Sequence, residues 1–362
     1  MTDLPILTDN IRILENAIVC PPQKRGGPAG VLTCDGAFVE ESREYISYFE
    51  PVPSPSFKDI PPDIPFVKGT YLYGGWIQPH FGHTIVETVA RLWPLPDLQS
   101  QIDGIVIIQR GPNSIWRSRR ANARLLSHFY LGQSDLPTRS VTKFERLIVP
   151  DAGTGLGARM NSSAGFRQYV RQLTIPEVDI DLPESIYISR RKLPGNKGRM
   201  LGETRLWELL QANGYWEMHP QELNPDQQIA MIANAKRIVS PDGTPMHVVS
   251  YFANPTAKVA MIIRRNRTVP IDMESQFRTI QRRDLVVIDR CLRIWKNLNT
   301  KRAATEVLSE VDLVGVADDL TRLGFITNGN KIANLNIDEV KSEFAVHRRL
   351  GMELSPLDYY SV

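Results

Sequence analysis

Two successive series of alternating strand and helix patterns, joined by a short acidic and proline-bearing link, constrain this chain more than any other feature. The first series starts near Tyr71. There GHTIVETVARLW has a helical period, DGIVIIQ is a short apolar run of the buried-strand kind, SIWRSRRANARLLSHFY is helical, RLIVP is a strand and NSSAGFRQYVRQL is a helix. The second series runs strand SIYISRR, helix ETRLWELLQANG, strand YWEMH, helix PDQQIAMIANA, strand KRIVS, helix TPMHVVSYFA, strand AKVAMII. Gly214 stands where a left-handed C-cap belongs, and Asn224-Pro225 where a helix opens. Such alternation needs parallel strands with crossover helices. The sequence therefore predicts an α/β protein with two Rossmann-like, doubly wound domains facing each other across a cleft.

Residues 71–176 form the first of these domains and 185–290 the second, with the break expected in PEVDIDLPE at 176–184. Residues 1–70 read as an irregular or β-like segment ending in a stiff connection, because six prolines fall between Pro51 and Pro65. Residues 291–362 read as a mainly helical tail that caps the first domain or makes a homodimer contact. A net charge of only +3 is not that of a chain that coats nucleic acid. Cys20, Cys34 and Cys291 have neither disulfide-framework nor zinc spacing. The opening MTDLPILTDN lacks a signal-peptide pattern, and no apolar run is long enough to span a bilayer. A cytoplasmic protein is expected, with a peripheral membrane contact left open.

Within the first domain, the predicted helix Gly82–Trp93 places Ile85, Val86, Val89, Leu92 and Trp93 in one apolar arc and His83, Glu87 and Arg91 on the opposite side. A His and a Glu one turn apart can act as a general base and its orienter. Glu87 and Arg91 can equally form an ordinary surface ion pair. Upstream, Trp76 and His80 in YLYGGWIQPHFGH offer an aromatic face and a donor beside two glycines, the equipment of a sugar site or simply of packing.

In the second domain, Arg190 and Arg191 end a strand at the carboxyl edge of a parallel sheet, where open α/β folds bind ligands. Glu203 opens the next helix, where a carboxylate complements the dipole or accepts ribose hydroxyls. KRIVS then runs through Asp242-Gly243-Thr244 into a helix, a layout that can cradle a diphosphate. Asp242 would repel that diphosphate unless it turned away. The D-x-D at Asp179 and Asp181 lies in the link before a strand and reads as a solvated connection, so no metal site is expected.

Taken in order, GGWIQPHFGHTIVETVARLW, YISRR with Arg199 and Glu203, the Leu210 to Tyr215 pattern and QIAMIANAKRIVSPDGTPMHVVSYF resemble glycosyltransferase family 61 over about residues 70–265. The resemblance implies a fold of two Rossmann-like domains (GT-B type) and inverting transfer from a nucleotide sugar without a catalytic metal or other cofactor. The acceptor would be a glycan or glycolipid, as in bacterial capsule or lipopolysaccharide synthesis. By this resemblance His83 and Glu87 are catalytic, with Trp76, His80 and Arg91 on the acceptor side. Arg190, Arg191, Arg199, Glu203, Asp242, Gly243 and Thr244 hold the donor. The family's usual His-Gly-Ala-Gly turn is replaced by Asp242-Gly243-Thr244-Pro245, and Gly202 stands where Asn commonly precedes the acid. These departures leave open an unusual donor, or a non-catalytic scaffold in polysaccharide assembly. Another nucleotide-dependent α/β enzyme is a further alternative, although no P-loop or glycine-rich dinucleotide fingerprint is present.

Overall fold

A computed structural model describes residues 7–46, 50–77, 79–109, 114–194, 197–265, 268–297, 307–329, 332–349 and 354–357. The chain divides into two units, Met1–Thr174 with Thr279–Arg282, and Ile175–Arg278 with Arg283–Val362. In the first unit, β1 (Ile11–Cys20), β2 (Gly30–Leu32), β3 (Phe66–Ile77), β4 (Gly104–Gln109), β5 (Asp135–Thr138) and β6 (Thr142–Pro150) form one sheet in the order β2-β1-β6-β3-β4-β5. From β6 to β5 the strands are parallel, whereas β1 runs antiparallel to both β6 and β2. The helical pieces are α1 (Phe81–His83), α2 (Leu95–Leu98), α3 (Ser114–Tyr130) and α4 (Ala164–Arg171). Val19, Tyr73, Val106, Ile108, Phe144 and Leu147 share one core. Burying each such side chain contributes about 1.5–3 kcal/mol before entropy is counted. Strand β4 is an unbroken apolar run, as expected of an interior parallel strand.

The second unit carries β7 (Ser185–Ile188), β8 (Arg199–Met200), β9 (Trp216–Met218), β10 (Arg237–Pro241), β11 (Lys258–Ile262) and β12 (Val286–Ile288), then β13 (Cys291–Asn297), β14 (Val307–Val311) and β15 (Leu354–Leu357). Its helices are α5 (Glu203–Ala212), α6 (Pro225–Asn234), α7 (Pro245–Phe252), α8 (Thr268–Ile280), α9 (Leu313–Arg322) and α10 (Ile337–Arg349). Strands β9, β7, β10, β11 and β12 form a wholly parallel sheet in that spatial order. Ranked along the chain this is the 2-1-3-4-5 order of a doubly wound fold, whose switch point falls between β7 and β10. Asn224 and Gln227 make a reciprocal capping box at α6, and Pro225 occupies its first turn. Local chemistry thus starts the helix where the sheet needs it.

The N-terminal segment is not an irregular appendage. Strand β1 pairs along its length with β6, and Ala17, Val19, Ala29, Val31, Val39 and Val52 lie in the first unit's core. Only the second half of β1 is buried, while Ile11 and Ile13 are exposed, so its sequence lacks a clean alternation. Among its described residues the tail combines the helices α9 and α10 with strands that the helical reading did not expect. Strands β13, β14 and β15 join β8 in a four-stranded sheet, ordered β15-β13-β14-β8. Leu313, Val316, Leu320 and Phe325 pack with Leu206 and Leu210 of α5, so this part of the tail belongs to the second unit. VLSEV was expected to be helical, but its Val307, Leu308, Ser309 and Val311 are all buried in that small sheet. Among the described residues no helix is long and apolar enough to cross a membrane.

The helix expected over Gly82–Trp93 is also shorter. Three α-helical residues lead into a π-helical turn at Thr84–Thr88, and the chain leaves helical structure before Pro94. A proline there disfavours helix at the preceding residue. Single π turns often sit at functional sites.

Candidate active site

In the first unit the parallel part of the sheet switches direction between β3 and β6, and α1 begins just past the carboxyl end of β3. Nδ1 of His83 is hydrogen-bonded to Oε2 of Glu87. Glu87 is buried, whereas the His83 side chain keeps 35% of its surface open. An ionised carboxylate only accepts, so in this contact Nδ1 is the donor and Nε2 is the nitrogen turned away from Glu87. Such a pair has the form of a base and its orienter, with the partly open His83 in front and the buried Glu87 behind it. The His80 ring meets His83 edge-on at 5.3 Å. Asn122 of α3 donates to the Pro79 carbonyl and to Thr84, pinning the approach to α1.

Arg91 does not continue a surface rail. It is 2% exposed; its Nε lies 3.3 Å from Oε1 of Glu44, and its other nitrogens donate to the carbonyls of Glu41, Pro150 and Arg43 at 2.6, 2.9 and 2.8 Å. This guanidinium ties the N-terminal segment to the end of β6, so Arg91 is a structural post and not an acceptor ligand. Burial pushes the Glu44 carboxyl up, opposed by Arg91 and Arg159. Gly75 makes the arrangement possible. It has φ +78° beside a bulge in β3, and a Cβ there would stand 2.6 Å from Oε1 of Glu44. Trp76 lies in the core at 1% exposed, which removes it as a sugar-stacking platform.

In the second unit, Arg190 follows β7 at the switch point and Gly243 follows β10. Nη1 of Arg190 is 3.1 Å from where a Gly243 Cβ would stand, so the guanidinium lies across the glycine. Its Nε donates to the Gly198 carbonyl at 2.8 Å. Glu203 accepts from the Arg190 amide at 2.7 Å and from the Tyr187 hydroxyl at 2.9 Å. At 4% exposed, Glu203 holds the strand end in place instead of facing a ribose. Burial raises its carboxyl above the ordinary range, against those hydrogen bonds.

Asp242 is turned inward and is fully buried. Its carboxylate accepts from the Arg264 amide at 2.7 Å and from Nε of Arg265 at 2.5 Å, while its carbonyl accepts from Nε of Arg264 at 3.0 Å. Burial works to raise the Asp242 carboxyl, but Arg265 and Arg264 outweigh it and hold it below the usual range. Desolvation in turn depresses Arg264 strongly and Arg190 less. Nη1 of Arg264 is buried without a hydrogen-bond partner among the described residues. Arg264 and Arg265 thus close on Asp242, and the Arg190 guanidinium lies across Gly243, where Gly243 and Thr244 lead into the positive end of α7. Such a cluster fits an anion with several oxygens.

The other expected donor residues are committed elsewhere. Nη1 of Arg191 lies 3.0 Å from both carboxylate oxygens of Glu217, and Arg199 donates to the Leu193 carbonyl. Gly202 caps α5 with φ +72° and no side chain of its own, and Glu343 of α10 accepts its amide at 3.0 Å. Arg264 and Arg265 were missed in the sequence although the signal was present: AKVAMII ends in an arginine pair just as SIYIS does. Asp179 and Asp181 are exposed in the connection ahead of β7.

A doubly wound sheet with arginines at its switch point, and a separate unit carrying a histidine–glutamate pair, fit an enzyme of the group-transfer class. Residues 81–260 match the Glycosyltransferase 61 family, and the chain belongs to that family. The match takes in His83, Glu87, Arg190, Glu203 and Asp242, while Arg264 and Arg265 lie just beyond its end. A comparison with curated proteins returns no match.

Proposed function

We propose that the chain is an inverting, metal-independent glycosyltransferase of GT-B arrangement, working in the cytoplasm. A nucleotide-sugar donor binds the second unit and a glycan or glycolipid hydroxyl is activated in the first. The acceptor oxygen bonds to the anomeric carbon while the bond from that carbon to the phosphate oxygen breaks. The hydroxyl proton passes to Nε2 of His83, and Glu87 stabilises the resulting imidazolium. Negative charge on the departing diphosphate is met by Arg190 and Arg265, with the buried Arg264 adding its charge from behind, and together they supply the positive charge that a divalent ion supplies in other enzymes. A single displacement inverts the anomeric centre.

The observation that carries this reading is the convergence of three guanidinium groups on the switch point of a 2-1-3-4-5 sheet in a family 61 chain. The inward turn of Asp242 supports it against a decayed scaffold, because this carboxylate organises two of the arginines. The family resemblance extends the reading to acceptors of the capsule or lipopolysaccharide kind. Incubation with a panel of nucleotide sugars and bacterial glycan acceptors, with and without chelator, tests it. Chelator-resistant transfer with inverted anomeric configuration by NMR is expected; retention, or strict metal dependence, contradicts it.

A further inference from the structure

Beside the diphosphate crevice, the second unit holds a cavity of about 350 Å³ that none of the roles above uses. It opens along β9, the edge strand of the parallel sheet. Its walls include Trp207 of α5 and Trp216 of β9, and His219, Glu217, Gln211 and Lys192 supply the polar groups. Trp207 is held by stacking on Tyr187, with centroids 6.3 Å apart and planes 15° apart. Trp216 is 43% exposed. His219 is 5% exposed, and neither of its ring nitrogens has a hydrogen-bond partner among the described residues, although Nε2 lies 3.2 Å from Glu217. A buried imidazole nitrogen left this way carries a desolvation cost unless a ligand meets it.

The cavity and the crevice are adjacent. The Ser189 amide donates to the Met218 carbonyl at 2.9 Å, so His219 lies one strand over from Arg190, a spacing of about 4.8 Å. Arg191 bridges the two through Glu217. Most of the cavity's polar groups are already paired: Glu217 with Arg191, and Lys192 with Glu222 at 2.9 Å. What remains is aromatic surface with the two buried nitrogens of His219 and the Gln211 amide. That suits a flat ring with a hydrogen-bonding edge better than a pyranose, whose hydroxyls need partners all round.

We propose that this cavity seats the nucleoside of the donor, with the base against the indoles of Trp207 and Trp216 and its edge on Nδ1 of His219. The assignment rests on the second unit being the donor unit. Calorimetry on the full chain with inorganic pyrophosphate and with UDP, CDP, GDP, ADP and dTDP separates the two claims. At least one nucleoside diphosphate should bind about tenfold or more tighter than pyrophosphate, as base stacking gives. Trp216→Ala and, independently, His219→Gln should remove most of that gain and leave pyrophosphate affinity unchanged. If pyrophosphate binds but no nucleoside diphosphate exceeds it, the cavity assignment fails and the donor reading stands; if neither binds, both fail. Nucleoside diphosphate affinity unchanged in both variants overturns the assignment, as does saccharide binding lost in Trp216→Ala while nucleotide affinity persists.

Discussion

The two units place arginine and carboxylate at the same kind of sheet edge and use them in opposite ways. In the first, Arg91 is closed in by Glu44 and three backbone carbonyls, which leaves the His83 ring as the open polar group. In the second, Arg190, Arg264 and Arg265 outnumber Asp242 and Glu203, and one guanidinium nitrogen is buried unpaired. A balanced buried pair is architecture; an unbalanced cluster has charge left to offer an anion. Charge bookkeeping at each switch point therefore separates a unit suited to proton transfer from one suited to anion capture.

The largest effect expected from this contrast is on stability in the first unit. Arg91→Ala should cost about 3–5 kcal/mol, because buried Glu44 loses its hydrogen-bonded cation and keeps only the field of Arg159. Arg91→Met combined with Glu44→Leu should recover much of that loss. Urea unfolding of the two variants checks it; equal loss in both would show that the carbonyl contacts, and not the ion pair, dominate.

Arg190→Ala should do the reverse in the second unit. Diphosphate affinity should fall by about 1.5–3 kcal/mol, the worth of a charge-assisted hydrogen bond, with little change in melting temperature. Calorimetry and a thermal melt on one sample distinguish this outcome from a structural role.

The smallest signal is in pH dependence, where the two buried carboxyls have opposite signs. Glu44 is raised above its ordinary 4.5, so the folded state holds its proton more tightly and its contribution is lost as pH rises through the folded value. Asp242 is lowered below its ordinary 3.8, so its contribution is present above 3.8 and lost as pH falls through the folded value. Relative to Glu44→Gln the parent should lose stability as pH rises, and relative to Asp242→Asn it should gain. Slopes of the same sign in the two comparisons would contradict the assignment.

Much of the second unit was legible because its strands are short apolar runs bounded by helix caps: β7, β10 and β11 lie where SIYIS, RIVS and KVAMI stand. Strand β1 was not, since half of it is exposed, and neither was β14, which becomes a strand only by pairing with β8 and β13. At the sites, the i, i+4 spacing did show that His83 and Glu87 could meet. It could not show which one faces outward, nor that Arg91 turns to Glu44, forty-seven residues away, because that contact depends on the bulge at Gly75. The inward turn of Asp242 rests likewise on Arg264 and Arg265, which close on it only when β10 and β11 align.

Steady-state kinetics of Glu87→Gln, with the donor titrated, tests the central claim most directly. If Glu87 orients His83 as the base, turnover should fall by roughly 10²–10⁴, the usual worth of general acid–base catalysis, while donor KM and melting temperature stay at parent values. A variant that keeps more than about half the parent rate would contradict the account, because an effect that small lies far below that range.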